Sequence, residues 1–102
     1  MNKQALATEW TQFALDDLDA VIDYIAEDNP ARAYDFAAEI YDKTLVLEQH
    51  PEMGRPGRPG LPAGVRELVV HRNYIVLYRI LASAGVIEIL RVKHAAQQSC
   101  SV

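Results

Sequence analysis

Four side chains in the second half of the chain have types suited to moving protons and holding phosphate: Arg66, Arg79, Arg91 and His94. Arginines stabilise charge that develops on a phosphate, and a histidine gives or takes a proton near neutral pH. Together they are the parts of a metal-independent RNA cleavage. The 2′-hydroxyl attacks phosphorus, a base removes its proton, and an acid protonates the leaving oxygen. Tyr74 and Tyr78 are further proton donors if they face the same surface. Each residue also has a plainer role. A strand tyrosine usually packs its ring and leaves its hydroxyl at an edge, and a histidine at a strand end is commonly solvated.

Other chemistries lack their parts. His50, His71 and His94 are scattered, the lone Cys100 has no CxxC context, and no metal or other cofactor is expected. The segment GRPGRPG does not join a strand to a helix, so it is not a phosphate cradle. Ser83, Ser99 and Cys100 lie in a turn and a tail without a hydrolase motif. The N-terminus has no long apolar core and no run approaches a membrane span, so a reducing cytoplasm is expected.

Charge is unevenly placed. Residues 1–54 carry Lys3, Arg32 and Lys43 against twelve acids, a balance of −9. Residues 55–102 carry seven bases against Glu67 and Glu88, a balance of +5. Such asymmetry signals a partner. Arg55, Arg58, Arg66, Arg72, Arg79, Arg91, Lys93 and His94 are therefore expected to form one basic, target-facing surface.

The elements that must position these residues follow from pattern. Gln4–Trp10 is short and moderately apolar, and alone fits either a strand or a helix start. Thr11 suits an N-cap, and Ala14, Leu18, Val21, Ile22 and Ile25 then recur at helical spacing. Asn29-Pro30 ends that helix and starts a second, with its stripe at Ala33, Phe36, Ala37, Ile40, Thr44 and Leu47. So short a connection implies an antiparallel helical hairpin. His50–Gly64 holds four of the five prolines and four of the five glycines, and reads as a loop. Val65–Val70, Tyr74–Leu81 and Val86–Lys93 read as three antiparallel strands joined by short turns. Strict alternation puts Tyr74, Val76, Tyr78 and Ile80 on one face of the middle strand, and Ile87, Ile89, Arg91 and Lys93 together on the last. The helical hairpin covers one face of this sheet. The other, apolar and basic together, is expected to be a partner surface.

The ordered set Trp10, Ala14, Asp17-Leu18, Ile22, Tyr24-Ile25, Asn29-Pro30, Ala33, Phe36, Ile40, Leu47, Pro51, Gly54-Arg55, Arg66-Glu67-Leu68, Tyr74–Arg79 and Ile87–His94 strongly resembles the RelE/ParE superfamily of bacterial type II toxins. The likeness covers roughly residues 8–98. It implies an α+β fold: a leading strand, an antiparallel helical hairpin, and an antiparallel sheet of about four strands. It implies one domain over residues 1–98, with 99–102 a flexible tail. It also implies a cognate antitoxin whose C-terminal segment wraps the toxin, with Leu18, Ile22, Ile40, Leu77 and Ile89 as the expected contacts. RelE-like members cut messenger RNA in the ribosome, whereas ParE-like members bind DNA gyrase and trap it. The RelE-like pattern usually ends near a tyrosine. Here Ala95 and Ala96 follow His94, and no tyrosine lies beyond Tyr78. A gyrase inhibitor rather than an enzyme is therefore expected. The alternatives are a ribosome-dependent endoribonuclease using Arg66, Arg79, Arg91 and His94, and a member that binds antitoxin without toxicity.

Overall fold

The computed structural model describes residues 6–94. The expected tail at 99–102 lies outside them. The chain runs β1 (Ala7–Trp10), α1 (Gln12–Ala26), α2 (Pro30–Leu45), a 3₁₀ turn, β2 (Arg55–Pro56), β3 (Arg66–His71), β4 (Tyr74–Leu81) and β5 (Val86–His94).

Both helix starts are fixed by side-chain caps. The Thr11 hydroxyl accepts from the Ala14 N–H at 3.1 Å, and the Asn29 side chain accepts from the Arg32 N–H at 3.1 Å. Each satisfies a donor that has no partner within its helix. Pro30 then takes the first helical position, where a missing N–H costs nothing.

The hairpin packs on one face of the sheet. Ala14, Phe36, Ile40 and Leu47 meet Leu68, Val70, Val76, Tyr78, Ile87, Ile89 and Val92 in one core. Burying each large aliphatic side chain contributes about 2 kcal/mol, which outweighs the weak intrinsic helicity of these segments.

The fold class is the α+β arrangement expected, but the sheet is larger and mixed. Its order is β1-β5-β4-β3-β2. β1 lies parallel to β5, pairing Ala7 with Val86 through Trp10 with Ile89. β2 is an extra two-residue strand antiparallel to β3. Proline and glycine density concealed it, yet Pro56 is tolerated because β2 lies at the sheet edge, where a missing N–H breaks no ladder.

The last strand also departs from strict alternation. Leu77 pairs with Arg91, but Tyr78 pairs with Ile89, so Leu90 is an extra residue. This β-bulge turns Val92 into the helix-covered core, leaving Arg91 and Lys93 in register with Leu77 and Ile75 on the opposite face. Ile87 and Ile89 therefore do not share a face with Arg91 and Lys93.

The outer face is not bare. The segment from Gly57 to Gly64 crosses it, and Leu61 packs there on Val65, Ile75 and Leu77, with Leu90 alongside.

Candidate functional site

On the outer face of the sheet, Arg55, Glu67, Leu77 and Arg91 follow one another across four strands in register. Ile75 and Lys93 stand on one side of that row, and Arg79 and Glu88 on the other. Apolar centre and cationic surround thus come together as expected, but most of the arginines face internal acceptors.

Glu67 organises the centre. It is 2% exposed. Its carboxylate accepts from Arg55 Nε at 3.2 Å, from the Arg58 N–H at 3.0 Å and from Arg58 Nε at 2.8 Å. Burial alone would raise its pKa. The bonds from the Arg58 side chain and backbone and from Arg55 outweigh that and hold the carboxyl below its ordinary value. Arg79 pairs with Glu88 at 2.7 Å. Arg91 donates twice to Asp17 of α1, at 2.7 and 3.0 Å, and lies 5.7 Å from the Phe13 ring centre. The bond to Asp17 raises the Arg91 pKa further. Asp17 also accepts the Val92 N–H at 2.9 Å, so it closes the edge of β5 beyond the end of β1. Lys93 is 9% exposed. Arg72 is exposed in the β3–β4 turn.

Two of the expected basic residues lie elsewhere. Arg66 pairs with Tyr78, on the helix side, and its guanidinium donates to the carbonyls of Gly54 at 2.6 Å and Glu52 at 3.3 Å. His94 pairs with Tyr74 on that same side, at the other end of the sheet, with ring centres 5.0 Å apart. The one basic surface of eight residues is therefore not formed.

The four proposed catalytic residues do not converge either. Tyr78 and Tyr74, the partners of Arg66 and His94, are about 13 Å apart along β4, at ~3.3 Å per residue. Arg79 points to the opposite face from both. Tyr78 is fully buried, donates to the Pro51 carbonyl at 2.7 Å and accepts from the Gly54 N–H at 3.1 Å, so it is no proton donor to a substrate. Tyr74 lines an open cleft of about 210 Å³ with Asp17, Val21, Tyr24, Val92 and His94. Burial, then the neighbouring Tyr24, raises its pKa.

Of the expected antitoxin contacts, Leu18 and Ile22 are half-buried on α1. Ile40, Leu77 and Ile89 are 0% exposed and present no surface. Ile40 and Ile89 are in the main core, and Leu77 lies in the outer cluster on which Leu61 packs. The large apolar groups exposed on the helices are instead Phe13, Leu15, Tyr24, Tyr34 and Tyr41, and Val46, Met53 and Val69 are exposed elsewhere. Asp17 and Glu67 entered the sequence reading only within the resembling set and, for Glu67, the charge balance, without a role of their own, and Leu61 did not enter it. The available signals were slight: Glu67 is one of two acids in a basic half, and Leu61 is the one large apolar side chain between Gly57 and Gly64. Among the described residues no group of three or more His, Cys, Asp or Glu side chains could hold a metal ion, and no helix is long and apolar enough to cross a membrane.

Residues 8–99 match the model of the ParE toxin family of the type II toxin–antitoxin system parDE. The chain belongs to this ParE toxin family. It is 36% identical over 88 residues to toxin RelE2 of Caulobacter vibrioides, covering 86% of this chain and 93% of that protein. It is 41% identical over 90 residues to the putative toxin Y4kP of Sinorhizobium fredii, covering 87% and 88%. Among solved structures it resembles the chromosomal ParDE system of P. aeruginosa, with TM-score 0.74 and 30% identity over 90% of this chain and 98% of that one. It also resembles the toxin–antitoxin complex RelBE2 of Mycobacterium tuberculosis, with TM-score 0.58 and 28% identity over 88% and 98%. The chain is thus a type II toxin of the RelE/ParE superfamily.

Proposed function

We propose that this ParE-family toxin arrests growth by binding and poisoning DNA gyrase rather than by cutting RNA, and that a cognate antitoxin neutralises it. The observation that carries this reading is the dispersal of Arg66, Arg79, Arg91 and His94 over two faces and both ends of the sheet. General acid–base cleavage needs its acid, base and phosphate-binding cations within hydrogen-bond reach of one phosphate. Binding needs only a shaped surface, and the outer sheet face supplies one.

The antitoxin's own surface is then the helical hairpin. Phe13, Tyr24, Tyr34 and Tyr41 are large, exposed aromatic side chains, as interface anchors are, and Leu18 and Ile22 lie half-buried on α1. The similar ParDE and RelBE2 structures are toxin–antitoxin systems, which favours such a partner here.

Purified chain added to gyrase and plasmid is expected to inhibit supercoiling and leave cleaved DNA. Unimpaired supercoiling, with messenger cuts at the ribosomal A site lost on His94→Ala, would overturn the reading. That outcome is the second reading, a ribosome-dependent endoribonuclease, and the RelE name of the Caulobacter relative favours it.

A further inference from the structure

β1 and β2 end the sheet among the described residues, and the end of a sheet is a template for further strands. Here the ladder groups at those edges meet side chains of the helical layer. The Ala7 N–H of β1 donates to the Gly85 carbonyl, and the Thr11 N–H just past β1 donates to the Ile89 carbonyl, both at 3.0 Å, so these amides point towards β5. Alternate amides of a strand point opposite ways. The Thr8 N–H points outward, and there it donates to Glu48 Oε2 at 2.8 Å. The Thr8 hydroxyl donates to the same oxygen at 3.1 Å. Glu48 comes from the 3₁₀ turn after α2, 40 residues on in sequence. Beyond β1, the edge of β5 is closed in the same way: the Thr11 hydroxyl donates to the Leu90 carbonyl at 3.0 Å, and Asp17 accepts the Val92 N–H at 2.9 Å. On β3, past the two residues that β2 covers, Lys43 donates to the Val70 carbonyl at 2.7 Å.

We propose that Glu48 is an edge guard, closing β1 to strand pairing with a second copy of this chain. β1 is already paired with β5 over its four residues, so the cap is additional to what holds the strand in the sheet. A carboxylate only accepts hydrogen bonds. It therefore occupies the outward N–H that the carbonyl of an incoming strand needs. It also carries a charge that such a strand would strip of water, a cost that an uncharged cap lacks. The identity of the excluded strand follows from symmetry. Two copies meet across a two-fold axis through the same surface of each, and each brings a β1 edge of the same residues. That pairing sets one Glu48 against the other, and Glu9, exposed on β1, adds like charge. Replacing Glu48 removes the obstacle from both copies at once. Asp17 closes β5 similarly but also holds Arg91, so Glu48 is the cleaner residue to change.

Sedimentation equilibrium of the full chain over a concentration series tests this. The unsubstituted chain is expected to keep the mass of a monomer. Glu48→Ala and Glu48→Ser, each verified as folded by its thermal melt, are expected to dimerise about tenfold more tightly, their mass rising with concentration towards that of a dimer. Adding Thr8→Pro to either is expected to restore the monomer, because proline removes the outward N–H and leaves the ladder to β5 intact. Hydrogen exchange gives a second measurement without proline. In the Glu48 variants, exchange at the Thr8 amide is expected to slow as concentration rises. A Glu48 that only stabilised β1 would, on replacement, lower the melting temperature and leave the mass unchanged. Equal masses of the unsubstituted chain and the variants, dimers that survive Thr8→Pro, or Thr8 exchange independent of concentration would each overturn the proposal.

Discussion

Replacing Glu67 by glutamine isolates what a buried carboxylate does for this fold. The substitution preserves shape and one acceptor oxygen but removes the charge. Three hydrogen bonds from Arg55 and Arg58 end on that carboxylate. Breaking a buried ion pair costs about 3–5 kcal/mol when the surviving charge is trapped. Here the arginines are not trapped: their side chains are 62% and 36% exposed and can be resolvated. The expected loss is therefore nearer that of a charge-assisted hydrogen bond, about 2 kcal/mol, or roughly 10 °C in Tm for a domain of this size. The sign of the pH dependence follows from the lowered carboxyl pKa. Its stabilisation is full above the unfolded value, about 4.3, and is lost as pH falls through the lower folded value. Urea melts of both chains at pH 7 and in steps down towards pH 3 measure this directly. The gap between them should be widest at neutral pH and close in acid. A gap below ~0.5 kcal/mol at pH 7, or one unchanged in acid, would refute the view that Glu67 anchors the Gly57–Gly64 segment through charge.

Tyr78→Phe should lose about 1–3 kcal/mol, because it strands the buried Gly54 N–H and removes the donor to Pro51; an unchanged urea midpoint would contradict this. Gly54→Ala should be worse than Gly60→Ala. A Cβ at 54 would lie 2.5 Å from the Glu67 carbonyl oxygen, whereas at 60 it meets nothing and incurs only the left-handed penalty of about 1–2 kcal/mol. Equal melting temperatures for the two alanine variants would show the 51–54 turn to be looser than described. Ile89→Ala should cost about 2–5 kcal/mol from the core and should not act selectively on antitoxin affinity. Loss of antitoxin binding by a variant of undiminished stability would restore Ile89 as a contact.

The fold was largely legible because its signals are local. Thr11, Asn29 and Pro30 specify helix starts by capping chemistry, and the strands announce themselves by apolar runs between turns. The bulge at Leu90 was not legible. Nothing in VIEILRVKH distinguishes strict alternation from one inserted residue, since apolar groups stand on both phases. That single residue moved Val92 into the core and set Arg91 and Lys93 on the outer face. The site was less legible than the fold for a related reason. Exposure and partnering are tertiary properties, so Ile40, Leu77 and Ile89 read as apolar without showing that their own chain covers them.

The same limit explains why the arginines misled. A count over residues 55–102 treats every cation as available, and the excess then argues for an anionic target. In the fold, Asp17 crosses from the acidic half to bind Arg91 and the β5 edge together. Glu67 draws Arg55 and Arg58 inward, and carbonyls of the 52–54 turn hold Arg66. Each contact sets a guanidinium's position before any partner arrives. A partner phosphate would have to displace a carboxylate already held at 2.7–2.8 Å from Arg58, Arg79 or Arg91. A partner protein need not, because its apolar side chains gain from the apolar centre of the sheet without any new bond to an arginine. Paired arginines over an apolar centre therefore favour recognition of a protein over chemistry on RNA.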